Sequence, residues 1–109
     1  MGDVMARFII SYLGGNPPSN PEEGKRHMAE YKAWLASHQA LIVSPANPFK
    51  NTHTIASDGA ITKGSITAMS GYTLVETATM EEAMAIAQTC PFLATGGSLE
   101  VSELVQMSQ

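Results

Sequence analysis

Of the three histidines and ten acidic residues in this 109-residue chain, His27 and Asp58 are the candidates for proton transfer unaided by a cofactor. His27, in the run RHMAEYK, is an imidazole on a helical pattern, with apolar partners spaced so that it points toward the edge of whatever the helix covers. Imidazole changes charge near neutral pH and so acts as either acid or base. The alternative is a half-exposed helix histidine beside Glu23 and Glu30. Asp58 stands in the triplet Ser57-Asp58-Gly59, where a carboxylate can serve a site or bond its own backbone and form a turn.

The remaining candidates are more often structural. Tyr31 and Trp34 read first as helix core, but would give aromatic walls to any cavity beside the helix. Ser44, Pro45 and Asn47 follow an apolar run, where a rigid turn can present a hydroxyl and an amide to a ligand or simply reverse the chain. Ser11 and Tyr12 are adjacent on a strand pattern, so only one of them can face a given cavity. His38 and His53 join His27 in no HxH, HExxH or CxxC spacing, and no metal site is expected. Cys90 precedes Pro91 at a helix end, without the helix N-terminus or cations that activate a thiol, and reads as core. The glycines at 14, 15, 96 and 97 form turns; no phosphate-cradling pattern exists and no cofactor is implied.

The elements that must position these residues are legible from periodicity. Residues 7–13 (RFIISYL) alternate as a strand and stop at two glycines. Asn20, Pro21 and Glu23 then start a helix, with Glu23 placed to reach back as in a capping box. That helix carries Met28, Tyr31, Trp34, Leu35 and His38 on one face and ends near residues 37–39. Residues 40–44 (ALIVS) form a second strand whose lack of polar alternation predicts cover on both faces. Residues 49–70 are an inserted flap, in which His53 to Ser57 and a turn at Asp58-Gly59 close a small hairpin. Residues 71–77 (GYTLVET) alternate again. Thr79 and Glu82 cap a second helix with an apolar stripe of Met80, Ala83, Met84, Ala87 and Cys90, which Pro91 terminates. Residues 98–107 make the last strand.

The order is β-α-β-β-α-β in a single α+β domain at residues 6–107, preceded by a short extension at 1–5. Two helices cover one face of a four-stranded antiparallel sheet, and the other face carries apolar positions of its own. Burial returns roughly 25 cal/mol per Å². A second copy packed face to face, as a two-fold homodimer, is therefore expected. The 44% hydrophobic and 15% charged composition suits such association. A net charge of −4 with no basic run argues against nucleic acid as a partner. No apolar run approaches the ~18 residues of a membrane span, no signal peptide is apparent, and with a single cysteine the expected location is the cytoplasm.

Taken together, FIISYLGG, NPEEG, MAEYKAWLAS, SPANP, SDG, SGYTLVE, AIAQTCPFL and GGSLEVSEL resemble, in order and spacing, the YCII-related domain family over residues 6–107. The resemblance implies a ferredoxin-like chain that pairs into a dimeric α/β barrel, with a cleft at the edge of each sheet. It also implies a site attributed to a histidine and an aspartate, for which His27 and Asp58 are the matching positions. Relatives of this barrel include lactone isomerases and a dehydrochlorinase, and many members have no known activity. Two readings follow. One is a cofactor-free enzyme using the His27/Asp58 pair on a small organic substrate, by isomerisation, elimination or hydrolysis-type proton transfer. The other is a non-catalytic module that binds a small ligand or a partner.

Overall fold

The computed structural model describes residues 5–106. Residues 1–4 of the expected extension, and Met107 at the expected end of the last strand, lie outside the described residues. Along the chain come β1 (Ala6–Leu13), α1 (Pro21–Ser37), β2 (Ile42–Pro48), β3 (His53–Ile55), β4 (Ile61–Lys63), β5 (Met69–Thr77), α2 (Met80–Gln88) and β6 (Ser98–Glu103). Four strands form one antiparallel sheet in the order β2-β5-β1-β6, and β3 with β4 makes a separate hairpin. Without that hairpin the order is the ferredoxin-like β-α-β-β-α-β of an α+β fold.

The core sits between the sheet and the two helices. Period-two alternation sends Phe8, Ile10 and Tyr12 of β1, and Thr73, Val75 and Thr77 of β5, to the helix side, where all are buried. Trp34 of α1 and Ala83, Ile86 and Ala87 of α2 close over them, with Cys90 just beyond. Full burial of Phe8, Ile10 and Val75 contributes about 1.5–3 kcal/mol each. On the opposite face Ile9 lies across from Leu74 and Ser11 across from Tyr72, with no helix above them. At the end of that row the Arg7 guanidinium donates to Glu76 at 3.2 Å.

Both helix starts follow their local chemistry, with one difference. Thr79 accepts from the Glu82 amide at 3.1 Å and Glu82 accepts from the Thr79 amide at 3.1 Å, a complete capping box. At α1, Asn20 accepts from the Glu23 amide at 2.8 Å, but Glu23 does not reach back. Its carboxylate instead accepts a hydrogen bond from the Ser19 hydroxyl at 2.7 Å, and that bond holds it below the usual carboxylate range.

Four expectations need correction. The second strand starts at Ile42, after a 3-10 turn at Gln39–Leu41, and runs on through Pro45 and Pro48. It is an edge strand with two register shifts, not a strand covered on both faces. Prolines are tolerated there because an edge strand leaves amide positions unpaired. In α2 the buried stripe is Ala83, Ile86, Ala87 and then Cys90, while Met84 is exposed, because the helix presses its 83/86/87 edge onto the sheet. Met28 is 52% exposed, since the first half of α1 overhangs a cleft and only Trp34 is fully buried along that helix. The last strand stops at Glu103, and beyond it the Leu104 amide donates to the Arg7 carbonyl at 2.8 Å.

Candidate functional site

The largely apolar cleft beside the sheet opens where β2 leaves β5, under the overhang of α1. It holds about 310 Å³ and is lined chiefly by Tyr12, Met28, Tyr31, Asn47, Tyr72 and Phe92. Gly71 makes the crossing of β2 and β5 possible here. A Cβ on it would lie 2.8 Å from the Asn47 carbonyl oxygen and 3.0 Å from the Pro48 Cα.

Phe92 forms one wall from the 3-10 turn Pro91–Thr95 that follows α2. Its ring meets Tyr12 edge-on, with centroids 5.1 Å apart at 68°. Gly15 and Gly97 flank that ring so closely that a Cβ on either would press into it. The two glycine pairs read as turns from the sequence therefore also make room for an aromatic wall.

The floor is a set of hydroxyls. Tyr12 Oη lies 2.9 Å from Tyr31 Oη and 2.5 Å from Thr73 Oγ1, and Thr73 Oγ1 donates to the Pro45 carbonyl at 2.5 Å. Burial pushes the Tyr12 phenol far above the ordinary tyrosine range, so it remains protonated. Asn47 spends both amide protons inside the protein, on Ser44 Oγ at 3.0 Å and the Tyr72 carbonyl at 3.2 Å.

Of the residues singled out in the sequence, Tyr12, Tyr31 and Asn47 line this cleft. Pro45 supplies the carbonyl at the end of the hydroxyl chain and Ser44 braces Asn47. Ser11 leaves β1 on the opposite face from Tyr12. Trp34 is a core residue: its indole donates to the Ile86 carbonyl and to Thr89 Oγ1, both at 3.1 Å, while its ring stacks on Tyr31 at 5.7 Å and 27°.

His27 stands on a neighbouring groove of about 270 Å³ that shares Met28, Tyr31 and Phe92 with the main cleft. It is half-buried, one helical turn after Glu23. Asp58 is elsewhere, at the tip of the β3-β4 hairpin. Its carboxylate accepts from the Ala60 amide at 2.9 Å, and Gly59 follows with φ +91°, a conformation that favours glycine. No hydrogen bond joins Asp58 to His27 among the described residues. His38 sits at the end of α1 beside Thr89 and Trp34, and His53 is on the hairpin. Burial raises the Cys90 thiol above its usual range.

Sequence reasoning passed over Met28 as a cleft residue, and over Phe92 and Thr73. The Pro91-Phe92 step after a helix end, with glycine pairs near it in the fold, was the available signal for Phe92. Nothing local marks Thr73, whose partner Tyr12 is 61 residues away.

No family model matches the chain, and no curated protein matches it either. Among solved structures it is similar to 5-chloro-2-hydroxyhydroquinone dehydrochlorinase (TftG) from Burkholderia phenoliruptrix AC1100, in complex with 2,5-dihydroxybenzoquinone. The TM-score is 0.57 at 17% identity, over 93% of this chain and 95% of that one. The class this defines is an architectural one: the chain has the α+β fold of the dimeric α/β barrels. No helix described is long and apolar enough to cross a membrane.

Proposed function

We propose that this chain works as a cytoplasmic homodimer related to the YCII domains, and that its cleft holds a small, flat, largely apolar organic molecule on which His27 carries out a proton transfer. The observation that carries this reading is the cleft itself. Its walls are mostly hydrocarbon and its volume suits a single ring. His27 stands one wall away, in a groove that shares Met28, Tyr31 and Phe92 with the cleft. An enzyme of the same fold, with a dihydroxybenzoquinone bound, supports a ring compound as the class of ligand.

Dimer formation is supported by area and shape. A domain of 11.6 kDa is expected to expose about 5,800 Å², whereas this chain exposes 7723 Å². Its radius of gyration is 15.8 Å, against about 13 Å for a compact chain of this length. The excess is more than the about 800 Å² that one partner hides in a standard interface and falls in the range of obligate homodimers. The hairpin points the same way. An isolated two-stranded ribbon is marginal in water, yet this one displays Ile55 and Ile61 as a facing pair about 70% exposed. Asp58 at its tip serves, in this reading, the second copy's site and not its own His27.

The competing reading is a binding module without turnover, favoured by the cleft's lack of any carboxylate or imidazole on its own wall. The test is a metabolite screen by thermal shift, followed by product analysis on the hits. Proton-transfer catalysis predicts that His27→Ala keeps ligand-induced stabilisation and loses turnover by at least a hundredfold. Stabilisation with no product from either protein selects the binding module. Unchanged turnover in the variant removes His27 from the mechanism.

A further inference from the structure

The cleft floor has a definite proton order. Three hydroxyls, on Tyr31, Tyr12 and Thr73, bring three protons to three close contacts that end at the Pro45 carbonyl. A carbonyl only accepts, so the 2.5 Å contact to Pro45 requires the Thr73 proton. Thr73 then has nothing left to donate, and the 2.5 Å contact with Tyr12 requires the Tyr12 proton. The Tyr31 hydroxyl lies 2.9 Å from Tyr12 Oη but 3.4 Å from both the Pro45 carbonyl and Thr73 Oγ1, so its proton goes to Tyr12, the only one of the three at full hydrogen-bond distance. Thr73 is fully buried and Tyr12 nearly so, so the inner end of the chain is closed off from the cleft. The protons run one way: Tyr31 to Tyr12 to Thr73 to Pro45.

Tyr31 is thus left with its oxygen lone pairs, and no proton, for anything in the cleft. Asn47 is in the same condition, since both its amide protons are used inside the protein and only its carbonyl oxygen has capacity to spare. Tyr72 borders the cleft but leaves β5 on the opposite face from Thr73, away from this floor, and the Ser70 hydroxyl on the wall is turned to the Tyr12 carbonyl at 3.5 Å. The deep polar groups of the cleft accept and do not donate.

We infer that the cleft selects a ring compound that brings its own O–H or N–H to Tyr31, such as a phenol or enol, over one whose polar groups only accept, such as an ether or a quinone lacking hydroxyls. This rests on the cleft being the binding site, as proposed above. The same order makes Tyr31 a binding and positioning residue: the chain ends on a carbonyl that cannot pass a proton on.

The probes are 4-chlorophenol and its methyl ether 4-chloroanisole, equal in ring size and differing in the one proton. Titration calorimetry on the intact wild-type protein is expected to give at least tenfold tighter binding of the phenol. Tyr31→Phe, checked for fold by circular dichroism, is expected to bring the phenol to within about twofold of the ether and leave the ether unchanged. Equal binding of the two probes by wild type overturns the inference, as does a preference that survives in Tyr31→Phe; either result leaves the cleft standing as a binding site. Binding of neither probe at millimolar concentration overturns the inference together with the binding cleft.

Discussion

The two faces of the four-stranded sheet are built from the same strands and have opposite fates. Phe8 and Ile10 are at most 1% exposed under the helices, while Ile9 between them, facing Leu74, is only partly buried and has no helix over it. Period-two alternation guarantees that neighbouring residues part company. It does not guarantee that both faces find a partner within one chain. Two helices suffice for one face, and the second apolar face is what the proposed homodimer would hide.

Three substitutions test that contrast, from the largest effect to the smallest. Phe8→Ala on the covered face should cost about 3–5 kcal/mol, by lost burial and the cavity left behind, read as a lower urea midpoint. Thr73→Val keeps the shape but strips the hydroxyl from the cleft floor, leaving the Tyr12 proton without its acceptor and the Pro45 carbonyl without its close donor; the expected loss is about 1–3 kcal/mol in the same measurement. Leu74→Asp on the open face should change the unfolding of the isolated chain by less than about 1 kcal/mol, yet convert the proposed dimer to a monomer by light scattering. A Leu74→Asp protein that unfolds as readily as Phe8→Ala would erase the distinction between the faces. One that stays dimeric would move the interface elsewhere.

Much of the fold was legible because its signals are local. Strands β1 and β5 follow from alternation, α2 from the Thr79/Glu82 box, and the hairpin turn from Asp58-Gly59. What escaped depends on contacts distant in sequence. The extent of β2 was set by its place at the sheet edge, where Pro45 and Pro48 do not break it. Met84 and Ile86 exchanged roles because the tilt of a short helix on a sheet decides which flank is buried, and a stripe of small residues leaves that tilt open. Tyr12, Tyr31 and Asn47 were visible as residue types, but the hydroxyl chain that links two of them requires Thr73 and Pro45, brought together only by the pairing of β2, β5 and β1. Asp58 shows the converse: its triplet is conspicuous, and it is the turn bond to Ala60 that the single chain displays.

The wedging of Phe92 between Gly15 and Gly97 has a bearing on how such a cleft can diversify. The loop after β1, the loop before β6 and the aromatic wall interlock around one ring, so none of the three can be enlarged or trimmed without disturbing the others. Met28, flexible and exposed on the opposite rim, is under no such restraint. Ligand range in descendants of this scaffold would thus be retuned from the α1 side, by exchanging residue 28 and its neighbours, while the Phe92 side is inherited as a block.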